Sequence, residues 1–201
     1  MSRPTLITIS EHTPRLDALG DALSLKGIRA LNSRAAARLF ANVRRHLLEI
    51  SKTRHTTALR LGAAPTGYFE KAYANSGHTS DEHGATVTVR APGFRRVFGD
   101  VQITPVVAQA LTIPIHALAY GKRVSQLRHE GVTIFRPKGA NYLAKANKDG
   151  TITPLYILAR SALVRQDRTL LPSDDEMREQ VKKGYRNAIE AILKKANASS
   201  A

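Results

Sequence analysis

The chain has 201 residues, 42% hydrophobic and 23% charged, a globular balance that excludes wholesale disorder. Lys and Arg number 31 against 16 Asp and Glu, a formal charge of +15, which favours polyanionic or acidic surroundings and makes contact between like patches costly. Without Cys, disulfides, thiolate zinc sites, iron–sulfur clusters and Cys nucleophiles are excluded; with 5% aromatics and no Trp, base-stacking platforms are poorly supplied.

From the N-terminus, Met1 to Ser10 holds one basic residue and no long apolar region, so it does not read as a signal peptide. No run reaches the roughly 18 apolar residues of a membrane span. Thr13-Pro14 reads as an N-cap and first helical residue, and Leu16, Leu19 and Leu23 follow at helical spacing. A short helix is expected from Pro14 to Lys26, stopped by Gly27. Asn32 can cap a second helix from Ser33 to Leu61, ended by Gly62. Its apolar face would hold Ala36, Leu39, Val43, Leu47, Ile50, Ala58 and Leu61. Arg34, Arg38, Arg45 and Lys52 fall on the opposite face, within about 40° of one another.

Ala64-Pro65-Thr66-Gly67 breaks the helix, and Tyr68 to Ala74 reads as one or two further turns. Asn75 to Gly84, polar and dotted with Gly, Ser and His, reads as an exposed loop. The period then changes to that of strands. Short β-segments are expected at 86–90, 101–104, 111–115, 133–135, 142–146 and 155–158. Asn147-Lys148-Asp149-Gly150 is a hairpin turn, and Ala119 to Leu127 reads as a helical turn between strands. Pro92, Pro105, Pro114 and Pro137 point to edges and strand ends rather than one large central sheet.

After Pro172, Ser173 to Glu176 forms a capping box, opening a C-terminal helix whose buried stripe is Met177, Val181, Tyr185, Ala188 and Ile192. Asn197 to Ala201 reads as a frayed tail. The expected organisation is a single α+β domain over 1–201: N-terminal helices over 13–62, a β-rich core of antiparallel short strands over 85–160, and a C-terminal helix over 173–197.

Catalytic and cofactor patterns are thin. Gly62 and Gly67 have the gap of a phosphate loop, but Tyr68 and Phe69 stand where Lys and Ser or Thr belong. His78, Asp81, Glu82 and His83 offer metal-ligand chemistry, but a Gly-containing loop gives them no fixed geometry. No enzyme activity, cofactor or metal is therefore expected. Basic groups that can meet a polyanion or an acidic partner are the helix stripe Arg34, Arg38, Arg45 and Lys52, then Arg95-Arg96, Lys122-Arg123, Arg136 and Lys138. No helix-turn-helix or zinc-finger pattern accompanies them, so DNA contact would be non-specific.

Several segments taken in order carry a resemblance. Ala64-Pro65-Thr66-Gly67-Tyr68-Phe69 follows a long helix, then come Pro92-Gly93-Phe94 and Phe98-Gly99 before Ile103-Thr104-Pro105. Leu111-Thr112-Ile113-Pro114 leads to Ala119-Tyr120-Gly121-Lys122, and Leu155 to Leu158 to Leu171-Pro172-Ser173-Asp174-Asp175-Glu176. This order, over roughly 35–195, resembles the virion morphogenesis (tail-completion) proteins of Mu-like tailed bacteriophages. The chain departs from them at Thr104-Pro105-Val106, where such proteins tend to carry Arg-Pro-Lys; Arg136-Pro137-Lys138 comes later.

The resemblance implies a structural virion protein at the tail or neck, assembled in the host cytoplasm. It implies a homo-oligomeric ring, expected as a hexamer, that joins tail to head and meets tail terminator or tube proteins and connector or stopper proteins. DNA in the channel is a further contact; a membrane is not. Asn75 to Gly84 and Arg123 to Gly131 are the expected docking loops. The alternative is a non-specific DNA-binding module acting through the basic helix face.

Overall fold

The computed structural model describes residues 20–198 apart from Ala22. The expected signal-peptide-free N-terminus and most of the helix expected from Pro14 lie outside the described residues. The first long helix, α1 (Leu25–Thr53), begins earlier than the cap at Asn32 implies, and Gly27 lies inside it rather than stopping anything. Ser24 is the cap in fact: its Oγ accepts the Gly27 N–H at 3.2 Å while its carbonyl takes the Ile28 N–H at 2.8 Å. The helix also ends sooner than expected. Arg54 and His55 interrupt it, and α2 (Thr56–Leu61) resumes until Gly62, whose φ of 63° closes the turn as expected.

α3 (Tyr68–Ala74) follows from Gly67, again left-handed at φ 65°. Half of the expected loop at 75–84 is instead a strand: β1 (Ser76–Ser80) pairs with β2 (Ala85–Val89). Asp81 makes the connection possible, since its Oδ1 accepts the N–H groups of both His83 and Gly84 at 2.9 Å. The remaining strands are β3 (Val101–Ile103), β4 (Leu111–Pro114), β5 (Ile134–Phe135), β6 (Tyr142–Ala146), β7 (Ile152–Ala159) and β8 (Ala162–Val164). They form two further sheets, β3 with β8, and a four-stranded antiparallel sheet in the order β4-β7-β6-β5. The Asn147 to Gly150 turn joins β6 to β7, Gly150 lying at φ 80°. The fold is α+β, as expected, with the prolines at strand ends; Pro154 inside β7 sits at the bulge opposite Leu143 and Ala144.

The expected turn at 119–127 is a single 3₁₀ turn, Ala117–Ala119, followed by α4 (Val124–His129). The expected docking loop at 123–131 is thus largely helix, with the Arg123 N–H held by Gln126 Oε1 at 2.6 Å. The C-terminal helix, α5 (Asp174–Ala198), starts where the capping box places it, with Ser173 Oγ accepting the Glu176 N–H at 3.2 Å. It runs through Asn197, where fraying was expected; 199–201 lie outside the described residues.

Tertiary contacts sort the chain into two units. The first takes 20–43, 77–88 and 173–198. In it, α1 and α5 run antiparallel, as four ties show. Tyr185 Oη donates to Asn32 Oδ1 at 2.6 Å, and Gly184 lies against Ala35. Arg38 Nε donates to Gln180 Oε1 at 3.2 Å, and Asn42 Nδ2 to Glu176 Oε1 at 2.7 Å. A Cβ on Gly184 would come 2.7 Å from the Ala35 Cα, so the absence of a side chain sets the approach of the helices. Asn32 is buried mid-helix and also donates to the Asp81 carbonyl at 2.7 Å. Of the expected α5 stripe, Ala188 is fully buried, Met177, Val181, Tyr185 and Ile192 are half-buried, and Gly184 is the buried residue the stripe omitted.

The second unit takes Arg44–Ser76 and Val89–Pro172. Its core is one face of the four-stranded sheet covered by the turns around α4: Ala119, Leu127, Ile134, Leu155 and Tyr156, with Leu118, Val124, Val132 and Leu143 packed against them. Fully burying aliphatic side chains of this kind contributes roughly 1.5–3 kcal/mol each. The Tyr156 hydroxyl reaches the Lys122 carbonyl at 3.1 Å, which satisfies the one polar atom this core buries on that ring.

Candidate partner-facing and polyanion-facing surface

The four stripe residues all lie on α1 and all are exposed. Two are tied: Arg38 to Gln180 on α5, and Arg45 to Glu49 at 3.9 Å, an exposed (i, i+4) pair of small energetic weight. Arg34 and Lys52 stand exposed on the same face.

The other basic groups all fall in the second unit, in local roles of different kinds. Lys122 pairs with Glu130 at 2.6 Å. Arg123 caps α4 with its backbone, and Arg136 Nε donates to the Ala140 carbonyl at 2.7 Å, closing its own turn. Lys138 and Arg95 are exposed.

Arg96 differs from all of these. It sits in the 3₁₀ turn Phe94–Val97, between the buried Phe94 and Val97, and its Nε is buried without a hydrogen-bond partner among the described residues. It lines a cleft of about 650 Å³ together with Arg54, Thr66, Tyr68 and Asp167. Arg54 is committed there: Nη1 donates to Asp167 Oδ2 at 3.0 Å and Nη2 to the Thr169 hydroxyl. Asp167 is committed too. Its Oδ1 accepts from the Thr169 backbone at 3.2 Å and hydroxyl at 2.6 Å, and its N–H donates to the Arg96 carbonyl at 2.9 Å.

Burial works against ionisation of Asp167, but the Thr169 hydrogen bonds and the nearby Arg54 and Arg96 charges outweigh it and hold the carboxyl below its usual range. Burial raises the Tyr68 phenol, opposed by Arg96, and its hydroxyl donates to the Pro92 carbonyl at 2.8 Å. Chemically the cleft offers donors, chiefly the Arg96 guanidinium, to an external acceptor; Glu70 on its wall offsets part of the charge.

Asp81 and Glu82, weighed above as metal ligands, are occupied otherwise: Asp81 builds the β1–β2 turn and Glu82 pairs with Arg29 at 2.6 Å. Among the described residues no group of three His, Asp or Glu side chains is placed to hold a metal ion. Among the same residues no helix is long and apolar enough to cross a membrane.

Among the described residues the most exposed large apolar side chains lie at and beside Val106, noted above only for the departure at Thr104-Pro105-Val106. Val106 and Val107 are 97% and 98% exposed, in the link 104–110 between β3 and β4. The signal was available: from Val101 to Gly121 the chain carries no Lys, Arg, Asp or Glu. Comparison with family models, with curated proteins and with solved structures finds no match to this chain.

Proposed function

We propose that this chain is a structural virion protein of a tailed phage, a tail-completion or neck component that oligomerises as a ring and helps join tail to head. It acts by shape and contact rather than by catalysis. The observation that carries the reading is the ordered motif set, whose pieces fall on turns, caps and strands of the fold. Gly67 starts α3 at φ 65°, Gly93 turns into the Phe94 3₁₀ segment at φ 74°, and Gly121 follows Tyr120 at φ 74°. Leu111–Pro114 is a strand and Ser173 caps α5. Partners in this reading are copies of the chain, tail terminator or tube proteins, and connector or stopper proteins; the place is the virion after assembly in the host cytoplasm.

Electron microscopy of particles made without the protein tests this. Full heads and finished tails that fail to join are expected; normal, infectious particles overturn the reading.

A second reading, non-specific DNA binding, is favoured by one observation: Arg34, Arg38, Arg45 and Lys52 are all exposed along one helix. In a neck component the same stripe would face DNA in the channel.

A further inference from the structure

The chain segment 101–114 runs antiparallel to 164–156. Val101–Ile103 pairs with β8 at Val164–Ala162, and Leu111–Pro114 pairs with β7 at Ala159–Tyr156. Opposite residues 104–110 stand only Arg160 and Ser161, so the link is extruded from an otherwise continuous pairing. Its tip is Val106-Val107, with Pro105 before and Ala108 after. Two β-branched apolar side chains at 97% and 98% exposure gain nothing within this chain.

The same unit also leaves an apolar sheet face open. Leu143 and Tyr156 are cross-strand partners and point into the core. Their neighbours Tyr142 and Ile157, also partners, therefore lie on the other face, beside Ile113, which pairs with Ile157 from β4. Ile113 on the edge strand β4 and Ile157 on the inner strand β7 are 37% and 39% exposed there.

Charge decides what covers these two features. The link lies in the run from Val101 to Gly121 that carries no charged side chain, and Thr151 to Ala159 carries none either. Arg160 opposite the link and Lys145 on β6 are single charges beside these features, whereas the clustered basic residues, which a partner of opposite charge gains most by facing, lie on other segments. Two copies of a +15 chain, in contrast, approach at least cost where neither presents charge. The tip and the sheet face are different patches on one molecule, so contact between them is heterologous, the kind that closes into rings when the rotation permits.

We propose that the 104–110 link of one copy seats Val106 and Val107 on the outer face of the four-stranded sheet of the next copy, against Ile113 and Ile157. This rests on the ring reading above and names the contact that would build the ring.

Sedimentation of the purified full chain tests it. The wild type is expected to associate with rising concentration, and more strongly at high salt, because screening removes repulsion while the contact itself holds no ion pair. Val107→Asp on the link and Ile157→Asp on the face should each weaken association roughly thirtyfold or more. Val107 is so exposed that its variant should keep the wild-type circular dichroism and melting temperature. An equimolar mixture of the two variants should form a one-to-one dimer, since each keeps the half the other lost.

A wild type that stays monomeric at every concentration, a Val107→Asp chain that associates normally, a mixture that remains monomeric, or association that weakens with salt each overturns the proposal. A chain that still forms rings with Val107→Asp removes this contact and leaves the tail-joining reading standing. Infectious particles made without the protein remove that reading and leave the association measurable in solution.

Discussion

At the residue scale the sharpest constraint is Gly184. Replacing Gly by Ala inside an exposed helix ordinarily gains about 1 kcal/mol. Here the new Cβ meets the Ala35 Cα at 2.7 Å and the Ala35 Cβ at 3.3 Å, and a backbone atom cannot swing away. Overpacking of that kind costs about 1–3 kcal/mol, so it outweighs the propensity gain. Gly184→Ala is expected to lower stability in urea denaturation, and Gly184→Val to lower it further. Adding Ala35→Gly should not rescue either, because the nearest atom belongs to the backbone. A Gly184→Ala chain more stable than wild type would show that the two helices do not meet as described.

Asp167 gives a residue-scale forecast with a sign. Its folded carboxyl is held below the usual range, so its stabilisation is full above the unfolded value of about 4 and is lost as pH falls through the folded value. Asp167→Asn keeps an oxygen for Thr169 but sets an NH2 group where Oδ2 accepts from Arg54 and removes the charge, which should cost about 1–3 kcal/mol at neutral pH. The gap between wild type and Asp167→Asn should narrow steadily in melts taken below pH 4. A gap that does not depend on pH would mean the carboxylate contributes nothing through its charge.

At the scale of elements, Ser173 closes the amide of Glu176 and opens α5. Loss of an N-cap costs about 0.5–2 kcal/mol, so Ser173→Ala should lower the melting temperature by a few degrees and Ser173→Asp should retain it. A Ser173→Ala chain that melts with the wild type would remove the cap from the account of this helix.

The start of α5 was legible because cap, acidic first turn and apolar stripe agree over a few residues. β6 was legible over Tyr142 to Ala146 because its limits fall between a proline-bearing turn and a hairpin turn. The start of α1 was misread because Asn32 looks like a cap, while its amide actually bridges Tyr185 and Asp81 from far along the chain. The interruption at Arg54 and His55 carries no Gly or Pro and coincides with the clasp on Asp167 and Thr169. β1 was missed because Ser76 to Ser80 has no apolar alternation, its pairing being supplied by β2 and its turn by Asp81. Sequence periodicity reports burial, and these segments owe their shape to hydrogen bonds made with distant residues.

At the scale of the molecule, the charge of +15 is what the sequence displays most openly, yet it divides into groups with different work. Lys122, Arg123 and Arg136 build local structure, whereas the exposed α1 stripe is left facing outward. The basic candidates were legible because charge needs no context; the cleft at Arg96 and the bare Val106-Val107 tip were not, because both depend on what pairs around them. The two readings of the molecule can therefore be separated by chemistry. If the stripe meets phosphate, the affinity of the purified chain for random-sequence duplex should fall steeply with salt, each contact adding about 0.9 to the logarithmic slope. Arg38→Glu with Arg45→Glu should then weaken binding and flatten that slope by about two, without altering self-association, which the 104–110 link and the sheet face are proposed to carry. A slope unchanged by the double reversal would take DNA off this helix, while loss of self-association in that variant would place the stripe in the contact between copies.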